Sequence, residues 1–399
     1  MSKTLVMGGT GAIGVYLVPA LLRHNHEVHV TTRSDRNCDN SQVRYICGDA
    51  RSAEFINRIT SDTKYDAIID LMSYGTSEFR KIHEILLNRT EHYLFVSSYR
   101  VFADTGTTPI TERSPRLLDV CDDKEYLATD EYALAKARQE DILRDSWRGN
   151  WTILRPCITY SRNRFQFGTL EANTICYRAL QNIPVIMARE ILPKSTTMTW
   201  AGDAARLMAK LVLNGEARGE DFNVVTSEHH TWAEVASYYK EFIGLEVIET
   251  DLDEYTRVVG KPYPYQVKYD RLFHRILDNS KVLRTTGVEQ SEFIGLKEGL
   301  KRELYEFKRN PYFQYPNLLV NARMDKVARS RISLKRLGFR ERMTYYAEQH
   351  CLLRSIFDAR AKVIALLPCF FRRVLYGTKR RLVAYFGIVA GIFGFVKRN

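Results

Sequence analysis

Tyr132 and Lys136 stand four residues apart in a stretch of strong helix formers, Glu131 to Leu143, so both side chains fall on one helix face a single turn apart. A phenol with an ordinary pKa near about 10 exchanges protons poorly at neutral pH. An ammonium beside it favours the phenolate and turns the pair into a usable acid and base. Upstream, Tyr93-Leu-Phe-Val-Ser-Ser98 reads as a buried strand that stops at two hydroxyls. In an open α/β sheet a hydroxyl at a strand's C-terminal edge faces the ligand crevice. Ser98 is then placed to hold a substrate oxygen while Tyr132 exchanges its proton, and Ser97 is the packed neighbour.

Such chemistry needs a hydride carrier, and the N-terminus supplies a place for one. Gly8, Gly11 and Gly14 form G-x-x-G-x-x-G directly after a first strand and at the start of an apolar helix, Ile13 to Leu22. The three positions suit a turn with unusual backbone angles, close approach to a pyrophosphate, and tight packing of helix on strand. Gly8, Gly11, Ala12, Ile13 and Gly14 would thus present backbone N–H groups and the helix terminus to the phosphates. The second strand ends in Thr31-Thr32-Arg33, where NAD enzymes commonly carry an acid for the adenosine ribose. Arg33 there can bind a 2′-phosphate, which favours NADP over NAD, with NAD the other option and a solvated arginine the plainer reading. Asp49, after the third strand, could accept the adenine amino group or be a loop aspartate.

These residues are positioned by an α/β architecture. Apolar strand-like runs near Thr4 to Met7, Glu27 to Thr32, Gln42 to Ile46, Ala67 to Leu71, Tyr93 to Ser97 and Trp151 to Leu154, with one more at Asp221 to Val225, alternate with helical stretches. That is the pattern of a doubly wound parallel sheet covered on both faces. The expected division is a cofactor domain over 1–165, completed by about 195–230, a smaller substrate-binding part over 166–312, and a basic helical tail over 313–399 in which 313–320 is a connector.

Together these elements resemble the extended short-chain dehydrogenase/reductases, the NAD-dependent epimerase/dehydratase family with its Rossmann fold, over roughly residues 1–310. The glycine triplet, Ser98-x-x-Val-Phe, Tyr132/Lys136, Leu154-Arg155-Pro156 with Tyr160, Trp200-Ala-Gly-Asp203, Phe222-Asn223-Val and Asp278-Asn-Ser-Lys281 fall in the family's order. The resemblance implies that Ser98, Tyr132 and Lys136 are the catalytic triad and that Lys136 also binds the nicotinamide ribose. It implies that Ser98, Tyr99, Arg155 and Tyr160 line the substrate side, and that a nucleotide-linked or lipid-linked sugar is the substrate. A homodimer is a further option. Where the family's 4,6-dehydratases carry an acidic pair, this chain has Tyr99 and Arg100, and it lacks the cysteine of the 3,5-epimerase-reductases. A 4-epimerase or a keto-sugar reductase is the chemistry left. The run Ala67-Ile-Ile-Asp70-Leu-Met-Ser-Tyr74 also resembles an atypical branch that includes chloroplast RNA-binding members, in which the small residues after the fourth strand are replaced. A non-catalytic nucleotide- or RNA-binding protein is therefore the alternative.

Composition narrows the setting. The 399 residues are 45% hydrophobic, enough for a sizeable core. Residues 321–399 hold 18 Lys and Arg against 4 Asp and Glu. Of the net charge of +12, that segment carries +14 and residues 1–320 about −2. The body thus gives no general reason to expect nucleic acid. Seven cysteines without C-x-x-C spacing point to a reducing compartment and away from disulfides and a zinc site, and no metal is expected. With no room for a signal peptide before the first strand, the expected location is the cytoplasm. The tail's last uncharged run, Leu382 to Val396, is 15 residues, short for a spanning helix. Flanked by basic clusters, it suits association with the inner face of an anionic membrane, or an amphipathic appendage packed on the body or a partner.

Overall fold

The computed structural model describes residues 1–350 except 262, 312, 314–316 and 336. The main sheet has seven strands, β1 Ser2–Met7, β2 His26–Thr32, β3 Val43–Cys47, β4 Tyr65–Asp70, β5 Thr90–Val96, β6 Trp151–Pro156 and β7 Glu220–Val224. All are parallel, in the order 3-2-1-4-5-6-7. Every strand read from the sequence is present, displaced by a few residues at most.

The five inner strands are largely buried because both faces are covered, whereas the edge strand β3 has no fully buried residue. On one face Val6, Val30, Ile69, Leu94 and Leu154 pack against helices α1 (Gly14–Arg23) and α7 (Ala201–Leu211). On the other, Leu5, Met7, Ile68, Tyr93, Phe95 and Ile153 meet α2 (Ala53–Asp62), α4 (His83–Asn88) and Leu143 of α5 (Tyr132–Arg144). The short helix α3 (Thr76–Arg80) joins β4 to α4. The chain winds one way from β1 to β3 and the other way from β4, so the switch point lies between β1 and β4. Their last paired residues are Met7 and Asp70. Beyond them the strands part into the crevice where ligands of such sheets bind.

A second lobe forms around a separate cluster that includes Phe165, Phe167, Trp232, Tyr239 and Leu300. It is built on α6 (Ala172–Ala179), α8 (Trp232–Ile243) and α9 (Leu296–Arg309). The same cluster takes in Tyr99, Val101 and Phe102 after β5, Ile158 and Tyr160 after β6, and Val225 after β7. The lobe therefore leans on the C-terminal edge of the sheet, where the ligand crevice opens.

The stretch expected as a connector behaves differently. Phe313 packs edge-on against Tyr177 with ring centroids 5.4 Å apart. A helix, α10 (Leu318–Ala328), starts within the stretch, its first turn capped by the Asn317 side chain. With α11 (Phe339–Gln349) it docks on the second lobe through a buried charge network. Arg178 of α6 pairs with Asp325 at 2.8 Å, both closed to solvent, and donates to Asn321 and Ser330. Tyr345 of α11 donates to the other Asp325 oxygen at 2.6 Å. The neutralising acid, Asp325, is one of the few in the basic segment, and a count of net charge does not reveal it. The clusters at Arg372–Arg373 and Lys379–Arg381 and the run Leu382 to Val396 lie outside the described residues. Among the described residues no helix is long and apolar enough to cross a membrane.

Candidate active site

Gly8 follows β1 in the left-handed region, at φ 74°, and its N–H donates to the Thr31 hydroxyl of β2 at 3.0 Å. The turn closes with Gly11 N–H on the Gly8 carbonyl at 3.3 Å, and α1 begins at Gly14. The three glycines are there for different reasons. A Cβ on Gly14 would lie 2.2 Å from the Gly9 carbonyl oxygen, so helix and turn could not meet. A Cβ on Gly11 would meet nothing nearer than the Gly8 carbonyl oxygen at 3.6 Å. Packing does not demand glycine there; a close-lying ligand would. The N-terminus of α1 has no capping side chain and no acid in its first turn, which leaves its positive end for an anion. The turn thus fits the pyrophosphate of a dinucleotide. At its edge the Met72 sulfur lies 2.9 Å from where a Gly8 Cβ would be, so the residue replacing the usual small one reaches the cradle itself. Arg33 and Asp49 are exposed beyond β2 and β3, and Asp49 accepts the N–H of Arg51 at 3.0 Å.

Across the crevice, Lys136 is 2% exposed and donates to the carbonyls of Val96 at 2.8 Å and Met72 at 3.1 Å. Its ammonium lies 4.5 Å from the centre of the Phe95 ring. Two of its three N–H groups are thereby used, and the third is left to give. Burial pulls its pKa down to about 8, against the opposing pull of Asp70 and Glu140. Tyr132, the first residue of α5, is 38% exposed, and the Arg100 guanidinium lies 5.4 Å from its ring centre. Ser98 is buried after β5, and its oxygen accepts the Arg100 N–H at 3.2 Å. Ser98, Tyr132 and Lys136 are in this way drawn to the end of β5, Lys136 through the Val96 carbonyl and the other two through Arg100.

The remaining residues expected to line the substrate side are engaged within the protein. Arg155 is 1% exposed, held by Glu140 on two nitrogens at 2.8 Å and by Asp221 at 2.8 Å. Its guanidinium ties α5 to β7 across the sheet. Burial pushes the Glu140 carboxyl up, but Arg155 and the Ser97 hydroxyl more than offset this, so it titrates below the usual range. The Tyr99 hydroxyl donates to Asp270 at 3.0 Å within a buried group that also holds Arg271, Arg275 and Arg100. Tyr160 is fully buried, its ring against Gly299 and its hydroxyl without a partner among the described residues. Two residues were missed at the sequence level: Arg100, which bridges Ser98 and Tyr132, and Asp70, whose only signal was an acid closing an apolar strand. Among the described residues no cluster of His, Cys, Asp or Glu could hold a metal ion. A groove of about 570 Å³ beside His83, Leu87 and Trp147 lies between α4 and the far end of α5, remote from this site.

A family model described as "NAD dependent epimerase/dehydratase family" matches residues 4–224, more than half of the chain. The chain belongs to the NAD-dependent epimerase/dehydratase family. As a member it is an NAD-dependent enzyme of the epimerase and oxidoreductase kind, and the matched segment contains the glycine turn, Ser98, Tyr132 and Lys136. The chain is similar to the chloroplast stem-loop binding protein of 41 kDa b of Arabidopsis thaliana, 23% identical over 301 residues, 70% of this chain and 73% of that protein. It is also similar to UDP-glucose 4-epimerase of Neisseria meningitidis serogroup B, 26% identical over 186 residues. That match covers 39% of this chain and about half, 51%, of the epimerase. In fold it resembles the UDP-glucose 4-epimerase of Thermotoga maritima, with a TM-score of 0.61 at 18% identity over 78% of this chain and 100% of that one.

Proposed function

We propose that this family member moves a hydride at one ring carbon of a nucleotide-linked or lipid-linked sugar, as a 4-epimerase or a keto-sugar reductase in surface-glycan assembly. The observation that carries the reading is Lys136, a buried ammonium tied to the ends of β4 and β5 with one N–H left over, beside Ser98 and the partly exposed Tyr132. When bound, the nicotinamide accepts or returns the hydride. Tyr132 takes the carbinol proton as the hydride leaves and gives it back on reduction. Ser98, whose oxygen accepts the Arg100 N–H, keeps its own hydrogen to donate to the substrate oxygen, and Lys136 would hold the cofactor ribose with its remaining N–H. Glutamate or aspartate is absent after Ser98, since Tyr99 and Arg100 occupy those positions and are bound to Asp270 and Glu131. Without an acid there, elimination of water is disfavoured. Arg33, exposed at the adenosine end, favours NADPH. A structural neighbour solved with UDP-glucose supports a nucleotide-sugar substrate.

The test is a titration of the purified chain with NADPH, NADH and a structured RNA, followed by incubation with UDP-sugars. Tight binding of a reduced nicotinamide with sugar turnover supports the proposal. RNA binding without nicotinamide binding would establish the second reading, which the similarity to the Arabidopsis stem-loop binding protein favours. The basic segment is assigned to an anionic membrane surface at the cytoplasmic face. Because α10 and α11 dock on the body, the informative truncation is after His350, and unchanged sedimentation with anionic vesicles would refute the assignment.

A further inference from the structure

Asp70 closes β4 with its carboxylate turned into the interior and no exposed surface. One oxygen accepts the N–H of Met72 at 2.9 Å and the Tyr74 hydroxyl at 3.3 Å; the other accepts the Tyr93 hydroxyl at 2.8 Å. Burial pushes the Asp70 carboxyl up, and the Met72 N–H, the Lys136 ammonium and the two tyrosine hydroxyls pull the other way, each favouring the ionised form. A buried carboxylate is costly unless a cation balances it, and the cationic neighbour is Lys136. The two are also joined through one residue. Met72 gives its N–H to Asp70 and its carbonyl to the Lys136 ammonium.

We propose that Asp70 is a positioning residue for Lys136: its grip on the Met72 N–H fixes the Met72 carbonyl that receives the ammonium, and its charge balances that ammonium where water is excluded. The charged groups acting on Lys136 are Asp70 from β4 and Glu140 from its own helix. Glu140 is committed to Arg155 and Ser97, and the groups from β5 that meet Lys136, the Phe95 ring and the Val96 carbonyl, carry no charge. Asp70 is therefore the carboxylate with most influence over the lysine. The consequence for catalysis rests on the function proposed above, whereas the coupling of the two side chains does not.

The experiment uses the full chain labelled with [ε-13C]lysine, the Lys136 resonance being assigned by its loss in Lys136→Met. The resonance is followed through the alkaline range in the parent protein, Asp70→Asn and Asp70→Ala, with amide exchange at Met72 measured alongside. Asp70→Asn keeps an acceptor for Met72 and removes the charge. It should move the Lys136 midpoint down by roughly one pH unit or more while Met72 stays protected. Asp70→Ala should lower the midpoint and also expose the Met72 amide to exchange at least about tenfold faster. If Asp70→Ala does not fold, the Asp70→Asn midpoint alone decides. A midpoint unmoved in Asp70→Asn, or Met72 protection unchanged in Asp70→Ala, overturns the proposal. NADPH affinity is measured on the same samples. A parent protein that binds no nicotinamide yet shows the shifted lysine would refute the proposed function and leave the Asp70 assignment standing.

Discussion

Two substitutions of the same kind, three residues apart, should fail in opposite ways. At Gly14 an added methyl would sit 2.2 Å from the Gly9 carbonyl oxygen and 2.3 Å from its carbon, both backbone atoms. To restore contact distance the turn must move by about 1 Å, and overpacking of this kind costs about 1–3 kcal/mol. The gain in helix propensity, up to about 1 kcal/mol, offsets only part of it at a first helical position. At about 2 °C per kcal/mol for a chain of this size, Gly14→Ala should melt about 1–5 °C lower. At Gly11 the backbone is not left-handed and the methyl meets nothing closer than 3.6 Å. Gly11→Ala should therefore fold normally or gain about 0.4–1 kcal/mol by restricting the unfolded chain. It should nevertheless weaken NADPH by at least about tenfold, which is about 1.4 kcal/mol, because the methyl occupies the space of the pyrophosphate. Thermal melts and fluorescence titration with NADPH on the same preparations read both effects. A Gly11→Ala protein that binds NADPH as tightly as its parent would refute the cradle. A Gly14→Ala protein with an unchanged melting point would refute the packing argument.

The ammonium of Lys136, drawn down to about 8 by burial, should make NADPH affinity fall as pH rises through about 8. Its folded value lies below the ordinary lysine value, so the unfolded chain holds the extra proton between the two, and this group's cost to folding eases over the same rise. Affinity that stays flat from neutral to mildly alkaline pH would contradict the role given to Lys136. Arg33→Glu should weaken NADPH by about tenfold or more and leave NADH nearly unchanged, since only the 2′-phosphate is repelled; equal losses for both would remove Arg33 from the adenosine site. Arg178→Ala strands Asp325 without its cation in a dry site and should cost about 3–5 kcal/mol. Limited proteolysis should then cut within 318–350, and resistance equal to that of the parent protein would argue against docking by this pair.

The five inner strands were legible because each is covered on both faces, and the apolar runs around Leu5, Val30, Ile69, Phe95 and Leu154 have few other uses in so long a chain. The glycine spacing was equally plain, since Gly14 is bound by a local clash. Arg155 shows where local reading stops. Its neighbours Leu154 and Pro156 say strand, but what occupies its guanidinium is Glu140 on α5 and Asp221 on β7, and only the folded sheet brings these together. The docking of α10 was hidden for the same reason, because Asp325 and Arg178 are far apart in sequence and each looks like a surface charge alone. Tyr132 and Lys136 were singled out by spacing. The spacing did not tell that one would be buried and the other left at the mouth of the crevice.

The clasp between Arg178 and Asp325 also sets an order of events during synthesis. The helix that carries Arg178 leaves the ribosome long before Asp325 does, and until then a guanidinium destined for a dry interior has no carboxylate to meet. A chain ended before Asp325 would leave that guanidinium to be buried without its carboxylate, a cost that separates unfinished copies from finished ones.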